Sequence, residues 1–284
     1  MLRGIEDSSH TVDRTSTLPV HRIGLLDVPG LTHGITSRTP DLPLYGNMSF
    51  MVGDAPDLVQ TNREAWAGAI NYDPDLLVLG RQVHETTVFA VDESHAGSGA
   101  QSVETSIRRV DGLMTNVPGI PLGVMAADCV PLLIHDPAHG AVAAVHAGWR
   151  GTVDGIARIA VARMTDAYGT EPGDLTIGFG PSICASCYQV GSEVVDRWQH
   201  GPVSTTADPV RVTSDGLYFD LREANRGQLI AAGVHPDRIE ISDVCTQCSN
   251  GAQFSRRGLG PRTGLFTSII MLDDSSRIDQ GRQS

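Results

Sequence analysis

Basic charge is scarce in this chain. Its 284 residues carry 21 Lys and Arg against 33 Asp and Glu, for a formal net charge of −12. A protein that tracks nucleic-acid phosphates needs a basic face, so a nucleic-acid partner is not expected, although a local arginine cluster still suffices for one small anion. Long apolar runs are missing too. No stretch of about 18 apolar residues occurs, which argues against a membrane span. The start, MLRGIEDSSHTVDRTSTLPV, has acids and no apolar h-region and does not read as a secretory signal. Five cysteines, an odd number, argue against a disulfide framework and for reduced thiols in a cytoplasmic protein.

Several catalytic signatures are absent as well. There is no G-x-S-x-G and no phosphate-binding P-loop. The ten histidines include no H-x-H pair, so a trinuclear copper cluster built on paired histidines is hard to assemble. The zinc-deaminase signature also fails, because Glu85 follows His84 directly and Val244, not Pro, precedes Cys245.

What is present centres on Ala126 to Thr152. Asp128-Cys129 leads into an apolar run, a turn follows at Asp136-Pro137-Ala138-His139-Gly140, and a second run ends on His146-Ala147-Gly148-Trp149-Arg150-Gly151. Such runs flanked by turn residues predict paired core strands, with Cys129 and His146 near one sheet edge. Further strands are predicted at Leu76 to Leu79 and Thr86 to Val91, as a hairpin around Gly80-Arg81-Gln82-Val83-His84. Others are predicted at Val110 to Thr115, Leu122 to Ala127, Leu175 to Phe179, Arg238 to Val244 and Gly264 to Met271. Helices are predicted from Pro56 to Ile70, with Arg63 and Glu64 outward, from Glu193 to Trp198, and from Leu221 to Ala232. The apolar stripe Val153, Ile156, Ala157, Ala160, Val161 and Met164 predicts one helix after Gly151, capped at Gly169. The chain divides into a flexible extension over 1–20, one large α/β domain over 21–272 and a polar tail over 273–284.

Three residues, His84, Cys129 and His146, each sit at or just after a strand, where side chains converge at a sheet edge. Two imidazoles and a thiolate make a three-ligand catalytic zinc set with a fourth position for water, and the same donors suit copper. A cysteine nucleophile with its histidine base and a set of core residues remain open. Arg150, opening a helix, is a candidate anion site, as is the Arg256-Arg257-Gly258 turn. Asp128 is a candidate for proton transfer, ligand orientation or plain satisfaction of backbone donors. The Cys184/Cys187 and Cys245/Cys248 pairs lie about sixty residues apart, outside the usual zinc-ribbon spacing, so a four-cysteine site is not expected.

These motifs together resemble the bacterial laccase-domain family, variously called polyphenol oxidase, purine nucleoside phosphorylase and peptidoglycan editing factor. The resemblance rests on Arg81-Gln82-Val83-His84, Ala127-Asp128-Cys129-Val130-Pro131, His146-Ala147-Gly148-Trp149-Arg150-Gly151, Gly180-Pro181 through Cys187-Tyr188, Asp220-Leu221 with Asn225, Cys245-Thr246-Gln247-Cys248, and Phe254-Ser255 with Arg256-Arg257. It runs from about His33 to Leu272. It implies one domain of mixed β-sheets sandwiched between helices in α-β-β-α layers. It also implies a metal on His84, Cys129 and His146, usually zinc with copper as the alternative. The activity implied is phosphorolysis of adenosine, inosine and methylthioadenosine, with adenosine deamination at the same site, in a monomer or small homo-oligomer. Asn47 and Arg150 fall where the family has pocket residues, and Gln82 beside His84 is placed with them. The competing readings are a copper-dependent polyphenol oxidase and a cell-wall editing protein with a cysteine hydrolase-like site. Glu85 and Cys184 stand where the family usually has Gly, and the usual Tyr between Phe-Ser and Arg-Arg is missing.

Overall fold

The structure, a computed structural model, describes residues 18–52 and 55–274. Most of the expected N-terminal extension and polar tail therefore lies outside the described residues. In chain order the first half contains β1 (Leu31–Ile35), α1 (Pro56–Ile70), β2 (Val78–Arg81), β3 (Val88–Ala90), β4 (Ile107–Arg108), β5 (Gly112–Thr115), β6 (Leu122–Ala126), β7 (Val130–Asp136) and β8 (Ala141–Ala147). The second half contains α2 (Trp149–Val153), α3 (Ile156–Tyr168), β9 (Thr176–Phe179), β10 (Gln189–Val190), α4 (Ser192–His200), β11 (Val210–Thr213) and β12 (Gly216–Phe219). It closes with α5 (Leu221–Ala231), β13 (Ile239–Ile241), α6 (Arg256–Leu259) and β14 (Phe266–Leu272). Among the described residues, no helix is long and apolar enough to cross a membrane.

Two mixed sheets stack face to face. One has strand order β13-β9-β7-β8-β5-β3, the other β1-β14-β6-β2-β4, and a small β10-β12-β11 sheet stands beside them. Successive side chains on a strand point to opposite faces, and both faces of β7 and β8 are covered. Leu132, Ile134, Ala143 and Val145 pack with Ile156, Ala160 and Met164 of α3 and Leu229 of α5. Leu133, Val142 and Ala144 pack instead with Val124, Phe266 and Ile270 of the second sheet. That double burial explains why these strands read as unbroken apolar runs. On the far side of the second sheet, Ala67 and Ile70 of α1 cover Leu79, Ile269 and Met271. The layering is α-β-β-α in a mixed α/β fold, as the resemblance implies.

Three expectations need correction, and one element was missed. The predicted hairpin at Leu76 to Val91 does not exist: β2 joins the five-stranded sheet and β3 the six-stranded one. Apolar patterning specifies burial, not the strand's partner, so the 82–87 link is a crossover between sheets. The helix predicted after Gly151 is two helices, α2 and α3, separated at Gly155, whose φ of 92° breaks the helical path. The small three-stranded sheet was not predicted. Finally, Arg63 is buried, not outward. Its guanidinium donates to the carbonyls of Met48 at 2.8 Å, Gly99 at 2.8 Å and Ala100 at 2.7 Å, and lies over the Phe50 ring.

Candidate metal centre

The β7–β8 register sets the centre. Val130 pairs with Ala147 and Pro131 with His146, so Cys129 and Gly148 emerge opposite each other at one end of the hairpin. The crossover from β2 to β3 delivers His84 to the same point. Donor atoms of His84, Cys129 and His146 all lie within 4.8 Å of one another. The two imidazoles meet edge to face, with centroids 4.8 Å apart. His146 is buried, Cys129 half-buried and His84 exposed, so the trio has one side toward solvent. Gly148 keeps the cradle open. A Cβ at that position would lie 2.6 Å from His84 Nδ1 and 3.2 Å from Cys129 Sγ.

Asp111, which the sequence reading did not single out, organises both histidines. It precedes β5, whose Gly112 pairs with Val145 of β8, so its side chain reaches His146 from the neighbouring strand. Its Oδ1 accepts from His146 Nδ1 at 2.9 Å, and its backbone carbonyl accepts the His146 amide at 2.7 Å. The carboxylate also accepts the amides of Val83 at 3.1 Å, His84 at 2.9 Å and Glu85 at 2.9 Å. Those bonds hold His84 in a left-handed conformation, φ 62°, which a non-glycine residue adopts only when its surroundings impose it. An acid just before a strand carries no metal-site pattern of its own; the only available signal was its position one residue ahead of a glycine-led strand.

Electrostatics favour a charged pair at the bottom of the site. Burial pushes the Cys129 thiol up, but the charge and hydrogen bond of His146, with the hydrogen bond of His84, bring it down to about 6. Burial likewise pushes His146 down, yet Cys129 and Asp111 raise it to about 9. With Nδ1 donating to Asp111, His146 has Nε2 left for a ligand, the arrangement that metal-binding histidines use.

The other expected site residues have distinct surroundings. Asp128, at φ 102°, accepts the Thr246 hydroxyl at 2.6 Å and the Arg257 amide at 2.7 Å, so its carboxylate ties the Cys129 turn to the chain after β13. Gln82 pairs with Met125 of β6 through both ends of its amide, at 2.7 and 2.8 Å, and so extends the sheet beside the trio. The Asn47 side chain accepts the amides of Ser49 and Leu265 and donates to the carbonyls of Ser49 and Val52, shaping its own loop. Arg150 is exposed with its guanidinium stacked on Trp149, 4.3 Å from the ring centroid. Glu85 pairs with Arg109 at 2.5 Å. The Arg257 guanidinium, a second anion candidate, donates to the carbonyls of Cys187 and Gln189. Tyr188 is held protonated by burial and by the nearby negative charges of Cys129 and Asp128.

The donor set of two imidazoles and one thiolate, with one open side and the Gly148 cradle, fits a single transition-metal ion. A multinuclear copper cluster has no paired histidines to hold it. The four remaining cysteines, Cys184, Cys187, Cys245 and Cys248, also lie within 4.8 Å of one another, so the long stretch of sequence between the two pairs does not keep them apart.

The sequence matches the family described as multi-copper polyphenol oxidoreductase laccase over residues 33–273. It is 36% identical over 247 residues to a purine nucleoside phosphorylase of Bacteroides thetaiotaomicron, covering 85% of this chain and 92% of that protein. It is 38% identical over 225 residues to adenosine deaminase RL5 from an unknown prokaryotic organism, covering 78% of this chain and 86% of that one. The crystal structure of YlmD from Geobacillus stearothermophilus superposes with a TM-score of 0.81 at 36% identity, covering 87% of this chain and 93% of its own. With a family match over most of its length and relatives at this identity, the chain belongs to the multi-copper polyphenol oxidoreductase laccase family.

Proposed function

We propose that the protein is a zinc-dependent purine nucleoside phosphorylase, acting on adenosine, inosine and methylthioadenosine, that also deaminates adenosine at the same centre. The observation carrying this reading is the convergence of His84, Cys129 and His146 around an open side, with Asp111 fixing both histidines. The names of the relatives, phosphorylase and deaminase, support the two reactions.

His84, Cys129 and His146 would hold the zinc, which when bound would supply Lewis-acid activation of water for the deamination. In phosphorolysis, an oxygen of inorganic phosphate bonds to the ribose C1′ while the C1′–N9 bond breaks. The purine leaves with the bonding electrons and takes a proton. Arg150, exposed in the first turn of α2 four residues after His146 and stacked on Trp149, is assigned to the phosphate. Asp128 is assigned to positioning, because the Thr246 hydroxyl and the Arg257 amide already engage its oxygens. Gln82 and Asn47 are assigned to the pocket wall, where their amides fix the backbone around it.

The test is incubation of zinc-loaded protein with inosine and phosphate. Hypoxanthine and ribose 1-phosphate are expected in equal amounts, and their absence sinks the phosphorylase assignment. Adenosine without phosphate is expected to give inosine, which tests deamination separately.

A further inference from the structure

The chain following β9 and the chain following β13 each carry a Cys-x-x-Cys pair. These strands are parallel neighbours, with Ile177 beside Ile239 and Phe179 beside Ile241, so both chains leave the sheet at the same edge. The pairing continues as a parallel bridge between Ser182 and Cys245. Parallel strands abolish sequence separation at their shared end, and Cys184 and Cys245, 61 residues apart, become neighbours.

All four sulfurs lie within 4.8 Å of one another, and all four are free thiols. Cys187 Sγ is 3.0 Å from Cys248 Sγ, and Cys184 Sγ is 3.9 Å from it. Four thiolates at a zinc–sulfur distance of about 2.3 Å would stand about 3.8 Å apart at the corners of a tetrahedron. The cluster is close to that size already. Backbone N–H groups of Cys184 and Cys248 point at Cys245 Sγ, at 3.3 and 3.5 Å, as donors that orient a ligating sulfur.

The frame around the sulfurs is independently braced. Arg222 of α5 donates to the Ser182 hydroxyl at 2.9 Å and to the carbonyls of Ser182 at 2.6 Å, Val244 at 2.6 Å and Ser242 at 3.0 Å. One guanidinium thus clamps both cysteine-bearing chains. A dithiol switch needs two cysteines; four clustered at one point match a tetrahedral ion instead.

We propose that Cys184, Cys187, Cys245 and Cys248 form a closed tetrathiolate site for one structural Zn²⁺, separate from the His84–Cys129–His146 centre. Binding displaces the thiol protons to solvent, and four protein ligands leave no position for substrate. The site braces the centre beside it. Thr246, between the second pair of cysteines, donates to Asp128, and Ile183, beside the first, donates its amide to the Asp128 carbonyl at 2.9 Å.

The test uses full-length Cys129→Ala protein, which lacks a ligand of the first centre but keeps all four of these cysteines. After incubation with Zn²⁺ and desalting, elemental analysis is expected to find one zinc per chain. Co²⁺ in its place is expected to give the absorption of a tetrahedral tetrathiolate. Adding Cys187→Ser and Cys248→Ser is expected to remove that equivalent. If the triple variant does not fold, the Cys129→Ala measurement stands alone. No retained zinc in Cys129→Ala would overturn the proposal, as would iron bound there in place of zinc. So would a Cys187–Cys248 disulfide in protein prepared without air.

Discussion

Asp111 grips His146 at two points: its carboxylate accepts the imidazole Nδ1–H at 2.9 Å and its carbonyl accepts the backbone amide at 2.7 Å. The same carboxylate binds the three amides that carry His84. Asp111→Asn keeps the shape but loses the charge and puts an NH₂ group among donors. Zinc affinity, measured by competition with a chromophoric chelator, is expected to fall about 10–100-fold. An unchanged affinity would show that the second contact layer is dispensable here.

Acid should act through this residue as well. Burial raises the Asp111 carboxyl, but the hydrogen bond and charge of His146 and the amides of Glu85 and Val83 more than compensate, and its pKa is lowered. A lowered carboxyl contributes stability that is complete above the ordinary value of about 3.9 and is lost as pH falls through its native value. Acid unfolding of the wild type is expected to be steeper below that range than that of Asp111→Asn, by circular dichroism at fixed temperature. Parallel profiles would refute the linkage.

The metal-free centre should contain a reactive thiolate. With Cys129 at about 6 and His146 at about 9, both are charged between those values. Cys129, lowered, contributes stability that is lost as pH falls through about 6; His146, raised, contributes stability that is lost as pH rises through about 9. Iodoacetamide labelling of Cys129, followed by peptide mass, is expected to be half-maximal near the lower value and flat above it. A rate still climbing toward the ordinary thiol value of 9.0 would contradict the ion pair. Zinc is expected to protect the thiol.

Gly148→Ala tests the cradle. The new Cβ would fall 2.6 Å from His84 Nδ1, with Cys129 Sγ at 3.2 Å, so His84 must move away. Metal affinity is expected to drop at least tenfold while thermal stability changes little, because the clash is with an exposed side chain at the hairpin's end.

Arg63→Ala should be costly through the loss of its buried hydrogen bonds. Truncation leaves the carbonyls of Met48, Gly99 and Ala100 buried without their donors, at about 1–3 kcal/mol for an abandoned buried group. A loss of roughly 3 kcal/mol or more in denaturant unfolding is expected, and a change below about 1 kcal/mol would show that other donors replace the guanidinium.

The legible and illegible parts of this protein divide along a physical line. Cys129 and His146 were visible because an apolar run, a turn and a second apolar run fix a hairpin, and a hairpin fixes which residues meet at its end. The helix at Pro56–Ile70 and the strand before Cys184 were visible for the same local reason. Sheet membership was not, because Val78 and Val88 are equally apolar whichever sheet receives them. Arg63 and Asp111 were missed because a buried charge whose partners are backbone groups from distant segments leaves no periodic trace. The meeting of the four cysteines was not legible because ribbon spacing assumes neighbouring hairpins, whereas β9 and β13 meet as parallel neighbours.

The β7–β8 pairing has a consequence for how this sequence can vary. Seven consecutive residue pairs run from Asp136↔Ala141 at the turn to Val130↔Ala147 at the centre, every one of them buried. A one-residue slip would swap the faces of an entire strand. Substitutions at Pro137, Ala138 and His139 leave that register unchanged, whereas Gly140, at φ 56°, calls for a residue that accepts a left-handed backbone. An inserted or deleted residue in the turn would be transmitted along the hairpin and move the thiol out of register with the imidazole. The length of a turn remote from the metal centre is thus a condition on its chemistry.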